Sequence, residues 1–594
     1  MTSLVIISCF LLALPVLSVF GSWLAPSAAS MEVLQNQLST VLPAYAGNSL
    51  MLTVLVAIGV SVIGSVTAAL VTLFDFPARR WFEWALLLPL AMPAYVLAYA
   101  ATDFLGHSGA LQLALRELTG ARGALWPDVR SVWGAALMFS LCLYPYVYLL
   151  ARAALSERGV QLMEAARMLG AGTFRRVREV AIPLARPAIA GGVALALMET
   201  LADYGVSSYF GLQTFTTGIY KAWLVMNDAD AAAQLASLLL LVVAVLMWLE
   251  RRSQNRLSFA SSKRNAQHGD DAHAFRLRGW PAFTAIGCCA LPVLLGFVLP
   301  VLVLLSLIWQ EARASESGLL GGLPWARFAP WAWTSFKLAA IAALLATLLS
   351  LVLAFNLRLL ATGGQSDQHS QPGGERLGRS ALLLGARIVS LGYAVPGAVI
   401  AVGILLPLGW LQRQWPESGT TALVTGSLFG VMYAYLVRFS SVALQSVDAG
   451  YSRLSRHVDE TARTLGSSRA RMFSQLHAPL LERAAFSALL LVFVDVMKEL
   501  PATLVLRPFN SDTLAVVAYQ LARDERLAEA ALPSLAIVLV GLAPVLLLSR
   551  SLRSNPGCSA SITTARQAIP HGSRRSFPCR HCATNRPNLT RPML

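Results

Sequence analysis

Glu199 and Asp203 stand four residues apart in an apolar stretch, and Asp495 and Glu499 repeat that spacing in another, with Lys498 beside them. Residues four apart share one face of a helix, so a helix through either stretch would present paired carboxylates. An ionisable side chain at mid-bilayer costs roughly 2.5–3.5 kcal/mol on insertion scales and therefore faces a cavity or a partner. Carboxylate and phenolate oxygens are hard donors that suit hard cations, and Tyr95, Tyr99 and Tyr204 lie nearby as further donors. The chemistry within reach is passage of a cation, with Glu199, Asp203, Tyr204, Asp495, Lys498 and Glu499 as candidates for its path. A structural alternative has Lys498 pairing with a carboxylate, or the group lying at a hydrated helix end. No residue is assigned as a high-affinity metal ligand, because a path must release its cargo. Pro501 and Gly205 would kink or unwind the helices beside the group.

A second pattern occurs twice. Glu164-Ala165-Ala166, Gly170 and Pro183-Leu184 return as Glu460-Thr461-Ala462, Gly466 and Pro479-Leu480, each 296 positions later. Arg167, Leu169 and Arg175 return as Arg463, Leu465 and Arg471 at the same interval, and the carboxylate pairs obey it too. Each copy is a polar island between long apolar segments, so the chain reads as two copies of one unit.

The elements that position these residues follow from composition. The 594 residues are 56% hydrophobic and 13% charged, against about 25% charged in soluble domains, and the mean hydropathy is +0.60. Apolar stretches of about 20 residues, enough to cross a bilayer as a helix, occur near 3–23, 50–74, 84–103, 132–151, 187–206, 232–249, 281–309, 334–357, 384–409, 422–446, 485–506 and 530–549. The 281–309 stretch is long for one crossing and would tilt or extend past the bilayer.

The net charge of +16 reads as a topology signal. Arg79-Arg80, Arg175-Arg176 and Arg251-Arg252 all fall in connections on one side, whereas 25–47 has no Lys or Arg. The positive-inside rule places both termini and both islands in the cytoplasm. A nucleic-acid partner is not expected, since no basic patch is interleaved with aromatics in a soluble domain. Met1-Thr2-Ser3 supplies no basic side chain for a signal peptide despite the small residues Ser27-Ala28-Ala29, so the first stretch reads as an uncleaved span.

Residues 1–250 and 280–553 form the two units, six spans each, and 251–279 is a polar cytoplasmic linker. Six is even, so the units share one orientation, as in a parallel repeat. The loop 362–379 reads as flexible from Gly363-Gly364 and Pro372-Gly373-Gly374. The basic tail 554–594, rich in Ser, Pro and Arg, reads as disordered. Cys579-Arg580-His581-Cys582 has metal-ligand types but no second pair at matching spacing. Cys9, Cys142, Cys288 and Cys289 read as small buried hydrophobes.

Within each island, Ser156 and Ser452 are candidate N-caps for a helix carrying the Glu-x-Ala core. Gly170 and Gly466 break that helix. Thr173, and Ser467 or Ser468, would cap a second short helix that Pro183 and Pro479 end before the next span. The result is a helix-turn-helix along the membrane face, with Ala165, Ala166 and Ala462 small enough for another protein to approach.

On these residues the chain resembles the permease subunits of ABC importers, whose cytoplasmic loop carries Glu-Ala-Ala-x-x-x-Gly, nine residues, then x-x-x-Pro. Thr461 departs from that motif in the second copy. Glu199-Thr200-Leu201-Ala202-Asp203-Tyr204-Gly205, Thr214-Phe215-Thr216-Thr217-Gly218-Ile219-Tyr220, Met497-Lys498-Glu499-Leu500-Pro501-Ala502-Thr503, Arg507-Pro508-Phe509-Asn510 and Ala91-Met92-Pro93-Ala94-Tyr95 are similar to the fused, two-unit permeases of ferric-iron importers. The resemblance runs to about residue 553. It implies an all-α polytopic membrane protein, about twelve transmembrane helices in two parallel six-helix repeats, like type I ABC importer permeases, in a bacterial inner membrane. It also implies two copies of an ABC ATPase subunit docked at Glu164, Ala165, Ala166, Gly170 and Pro183 and at Glu460, Ala462, Gly466 and Pro479, and a periplasmic ferric-iron-binding protein.

The chain has no Gly-x-x-x-x-Gly-Lys-Ser/Thr phosphate loop, so ATP belongs on the partner and no cofactor is expected here. It is read as a transporter subunit and not an enzyme. Thiamine, sulfate-like anions and phosphonates are the alternative cargoes. An anion route should show converging basic groups, and the four carboxylates favour a cation. A twelve-span secondary transporter is the rival class, and the two islands argue against it because such a protein has no docking partner to serve.

Overall fold

Long apolar sequences leave the backbone only internal hydrogen bonds to make, and in lipid that selects helices. The computed structural model describes residues 2–553 apart from 22, 24–31, 33–34, 38, 157–159, 256–274, 315–324, 363–372, 420–423, 453 and 456. The expected linker thus lies mostly outside the described residues, and the tail 554–594 with its Cys-Arg-His-Cys tetrad wholly so. Residues 1–547 form one compact unit, and 548–594 a second of which only the helical start is described.

The described chain is helical. The elements used below are α1 (Thr2–Gly21), α2 (Leu42–Leu73), α3 (Ala94–Leu105), α4 (Val132–Ala154), α5 (Val160–Met168), α6 (Ile182–Ala202), α7 (Gly205–Tyr209), α8 (Ala229–Asn255), α9 (Trp280–Val293) and α10 (Leu299–Ala314). They continue with α11 (Trp325–Thr362), α12 (Gly373–Leu391), α13 (Gly397–Gln414), α14 (Phe429–Tyr451), α15 (His457–Thr464), α16 (Glu482–Met497), α17 (Pro501–Leu506), α18 (Leu514–Arg523) and α19 (Leu527–Arg553). A two-residue parallel pairing, Phe74 with Phe275 and Asp75 with Arg276, is the one sheet among the described residues.

Seven helical stretches among the described residues are long and apolar enough to cross a membrane, and an eighth if the pair Arg79–Ala91 and Ala94–Thr119, bent by 93°, counts as one. Several expected spans are interrupted. The stretch near 84–103 breaks at Met92-Pro93, that near 384–409 at Val395-Pro396, and that near 485–506 after Met497. Proline explains all three, since it lacks the N–H that would continue the ladder.

Two groups of three helices carry the core. α2, α4 and α6 pack together, and so do α11, α14 and α16. The first helix of each sequence unit lies against the other unit. α1 packs on α12 and α13, while α9 and α10 reach α2 and α3. The α1–α13 crossing is close: a Cβ on Gly403 would stand 1.9 Å from the Pro15 carbonyl oxygen, so only glycine fits. Ser18 Oγ donates to the Gly403 carbonyl at 2.5 Å across this crossing.

Candidate functional site

The intramembrane carboxylates are brought together, though not on two helical faces. α6 stops at Ala202. Asp203 is extended, with φ −73° and ψ 135°, and its Oδ1 accepts the Val206 N–H at 2.8 Å. α16 stops at Met497, and Glu499 accepts the N–H groups of Ala502 and Thr503 at 2.9 and 3.0 Å. Asp203 and Glu499, equivalent under the 296-residue offset, each cap the short helix that follows, α7 and α17. A side chain that satisfies orphan donors offers the backbone an alternative to continued helix. Pro501 removes one donor outright. The expected shared helical face is therefore corrected: only Glu199 and Asp495 project from helices.

These groups meet around a cavity of about 110 Å³ lined by Glu199, Asp203, Asp495, Lys498 and Glu499, with Tyr95, Tyr146, Tyr393, Cys142 and Arg438 completing its polar wall. Arg438, from α14, sits between the two units. It lies 3.8 Å from Glu199 Oε2 and 3.4 Å from Glu499 Oε1. Lys498 Nζ is 2.9 Å from Asp495 Oδ1. Burying a charge without a partner is prohibitive, and Arg438 and Lys498 stand as the partners of Glu199, Glu499 and Asp495. Arg438 escaped the sequence reading. Its signal was available: a lone base inside an apolar stretch deserves the same weight as a lone acid. Under the 296-residue offset its counterpart is Cys142, whose Sγ donates to the Met92 carbonyl at 2.9 Å.

The tyrosines divide. Tyr95 lines the cavity with its hydroxyl unpartnered among the described residues. Tyr204 does not line it. It stacks on Tyr220 with centroids 3.8 Å apart and leans on Tyr519. Tyr99 bonds Ser534. Among the described residues no three His, Cys, Asp or Glu side chains group closely enough to hold a metal ion.

The two islands share one backbone. α5 carries Glu164, Ala165 and Ala166, and α15 carries Glu460, Thr461 and Ala462. Gly170 and Gly466 follow at φ +82° and +74°, the left-handed conformation that glycine adopts without strain. The turns close alike. Gly170 N–H reaches Arg167 O and Ala171 N–H reaches Ala166 O, as Gly466 reaches Arg463 and Ser467 reaches Ala462, all between 2.9 and 3.1 Å. Met168 and Leu169 are 89% and 88% exposed and Leu465 is 79% exposed. These large apolar side chains lie uncovered at the same place in both copies.

The local expectations divide. Ser156 and Ser452 do not cap; their hydroxyls donate back to Arg152 O and Ala449 O, both at 2.8 Å. Ser468 does cap, accepting the Arg471 N–H at 3.3 Å. Pro183 does not end the second helix, which runs on into α6, whereas in the second copy the helix stops at Leu480, directly after Pro479, and Leu481 separates it from α16. A π turn precedes each proline, at Val177–Ala181 and Met472–His477. The wider turn absorbs the missing proline donor.

Beneath the islands the copies part. Met163 of α5 packs with Leu73, Leu155, Ala181 and Ala185. The offset turns Leu155, Met163 and Ala181 into Tyr451, Asp459 and His477. Arg358 of α11 bonds Asp459 Oδ2 through Nε at 2.6 Å and reaches the carbonyls of Tyr451, Leu454 and Ser455 at 2.9–3.2 Å. His477 Nε2 lies 3.1 Å from Asp459 Oδ1 without hydrogen-bond alignment, its ring packed on Phe355 and Tyr451. Burial lowers the His477 imidazole below its ordinary range; Asp459 opposes that shift and Arg358 adds to it.

Residues 60–259 match the family described as binding-protein-dependent transport system inner membrane component. The chain is 23% identical over 504 residues to the Fe(3+)-transport system permease protein FbpB 2 of Haemophilus influenzae, covering 85% of this chain and 89% of that protein. It is 23% identical over 551 residues to the ferric transport system permease protein FbpB of Actinobacillus pleuropneumoniae, covering 88% and 73%. A shorter likeness, 29% over 191 residues, links 30% of the chain to 81% of the molybdenum transport system permease protein ModB of Escherichia coli.

Proposed function

We propose that the chain is a permease component of binding-protein-dependent transport, an inner-membrane transporter subunit, and that it imports ferric iron. The observation that carries this reading is the cavity where Glu199, Asp203, Asp495 and Glu499 converge. The length-wide likeness to ferric permeases points the same way. In this reading the chain forms two parallel six-helix repeats, about twelve spans, with both termini cytoplasmic. Permeases of this class work with ATPase and binding-protein partners. Here the partners are two ABC ATPase subunits and a periplasmic ferric-iron-binding protein, and ATP stays on the ATPase.

The cycle is alternating access. The binding protein delivers iron to the outer side. ATP closes the ATPase pair, and the islands at Glu164–Pro183 and Glu460–Pro479 carry the closure to the long helices. Inside the cavity Arg438 and Lys498 act as resident counter-cations. An entering cation competes with them for Glu199 and Asp495 and leaves when they return, which keeps binding weak enough for release.

The test is uptake of labelled ferric iron in cells lacking their own iron permease, supplied with this chain, its ATPase and its binding protein. Uptake that requires ATP, and that Glu199→Gln with Asp495→Asn abolishes while ATPase association persists, supports the reading. A second reading has its own observation: Arg438 and Lys498 are the converging bases that an oxyanion route requires, and the shorter likeness is to a molybdenum permease. Labelled molybdate or sulfate taken up in place of iron, and lost in Arg438→Gln, would select it.

A further inference from the structure

The island joint of the second copy contains a buried ionic cluster that neither the shared motif nor the cavity explains. Asp459 is the residue before Glu460, and it is 1% exposed. A buried carboxylate costs several kcal/mol unless its oxygens are engaged, and both of its oxygens face partners. Oδ2 takes the Arg358 guanidinium at 2.6 Å and Oδ1 faces His477 at 3.1 Å. Arg358 then spends its remaining donors on the carbonyls of Tyr451, Leu454 and Ser455, the end of α14 and the turn leading to α15, and lies 5.1 Å from the Tyr451 ring centroid. One guanidinium therefore ties together the end of α11, the end of α14 and the second island. The same joint in the first copy is a greasy contact of Met163 with Leu73, Leu155 and Ala181.

An apolar contact resists separation but tolerates sliding, because burial is non-directional. A guanidinium fork bound to a carboxylate and three carbonyls fixes an angle as well as a distance. We propose that Asp459 is a positioning residue: through Arg358 it sets the orientation of the second island relative to α11 and α14, so that this copy transmits ATPase movement as a rigid lever. The proposal rests on the reading that the islands dock ATPase subunits.

The experiment uses the full permease reconstituted with its ATPase and binding protein. ATPase affinity, ATP turnover and uptake are measured separately. For Asp459→Asn, wild-type ATPase affinity is expected, with uptake per ATP falling about fivefold or more, the lower bound of typical coupling between sites. The triple change Arg358→Leu, Asp459→Met, His477→Ala, which rebuilds the joint in the style of the first copy, removes the fork without stranding a charge, so uptake per ATP should stay as low as in Asp459→Asn. Membrane yield and monodispersity exclude simple misfolding. Unchanged uptake per ATP in Asp459→Asn would overturn the proposal, and so would wild-type uptake per ATP in the triple variant, which would make a stranded charge and not a lost orientation the cause. A wild-type permease that fails to bind the ATPase through the islands would instead overturn the docking reading beneath it.

Discussion

The two islands have one backbone and two adhesives. Glycine turn, π turn and exposed leucine recur at the same offset, whereas the contact underneath is apolar in the first copy and ionic in the second. The cavity shows the same bias. Arg438 of the second copy stands where the first has Cys142, and Lys498 where it has Ala202. A left-handed turn admits few residues without strain, whereas a buried contact has many solutions of similar volume, and in this chain the second copy uses an ionic one.

That comparison breaks first where a charge is forced into the apolar joint. Met163→Asp puts a carboxylate among Leu73, Leu155, Ala181 and Ala185. A loss of about 3–5 kcal/mol, the usual cost of an uncompensated buried charge, should appear as a collapse in yield and thermal midpoint. Arg438→Cys, which copies the first unit into the second, strands Glu199 and Glu499 and should cost a similar or slightly smaller amount, since Glu499 keeps its two backbone bonds. A wild-type thermal midpoint for Arg438→Cys would mean that the cavity carboxylates are hydrated and the two sides electrostatically alike.

Acidification should separate the joints more gently. His477 has its proton affinity lowered in the fold, so the unfolded joint binds more protons as pH falls below about 6.5, the ordinary imidazole value. Its contribution is intact above that pH and lost below it as the folded pKa is approached. Asp459, Arg358 and Tyr451 face it, and Asp448 interacts with Tyr451. Protection factors of the amides at 472–477 should fall between pH 7.5 and 5.5, while those at 177–181 stay constant. An equal loss of protection in both would remove His477 as the cause. The smallest effect should come from Gly170→Ala and Gly466→Ala. Neither added methyl meets an atom within 4 Å, so each costs only the left-handed strain of about 1–2 kcal/mol. Similar costs at both sites are expected, and unequal ones would show that the turns are less alike than their angles.

What the sequence made legible was whatever depends on local rules. The apolar lengths announced membrane helices, and Gly170 and Gly466 announced turns that the dihedral angles display. Spacing also drew attention to Glu199, Asp203, Asp495 and Glu499. What it hid depends on competition between donors. Asp203 and Glu499 were placed on helices because a four-residue interval suits a helix, yet their carboxylates serve the next helix better than their own. Ser156 and Ser452 have cap chemistry but spend it backwards on the preceding turn. Pro183 signals termination until a π turn makes room for it, while the helix around Pro479 does stop one residue on. Arg438 was overlooked because one base hardly alters the hydropathy of a long apolar stretch.

The packing of α1 on α13 has a consequence for biogenesis. Ser18 and its acceptor Gly403 are 385 residues apart. At roughly 5–20 residues per second of synthesis, on the order of 20–80 seconds pass before the crossing can form. During that interval α1 stands in the bilayer with lipid where its partner will be. Its apolar flank must therefore satisfy two solvents in turn, first acyl chains and then protein.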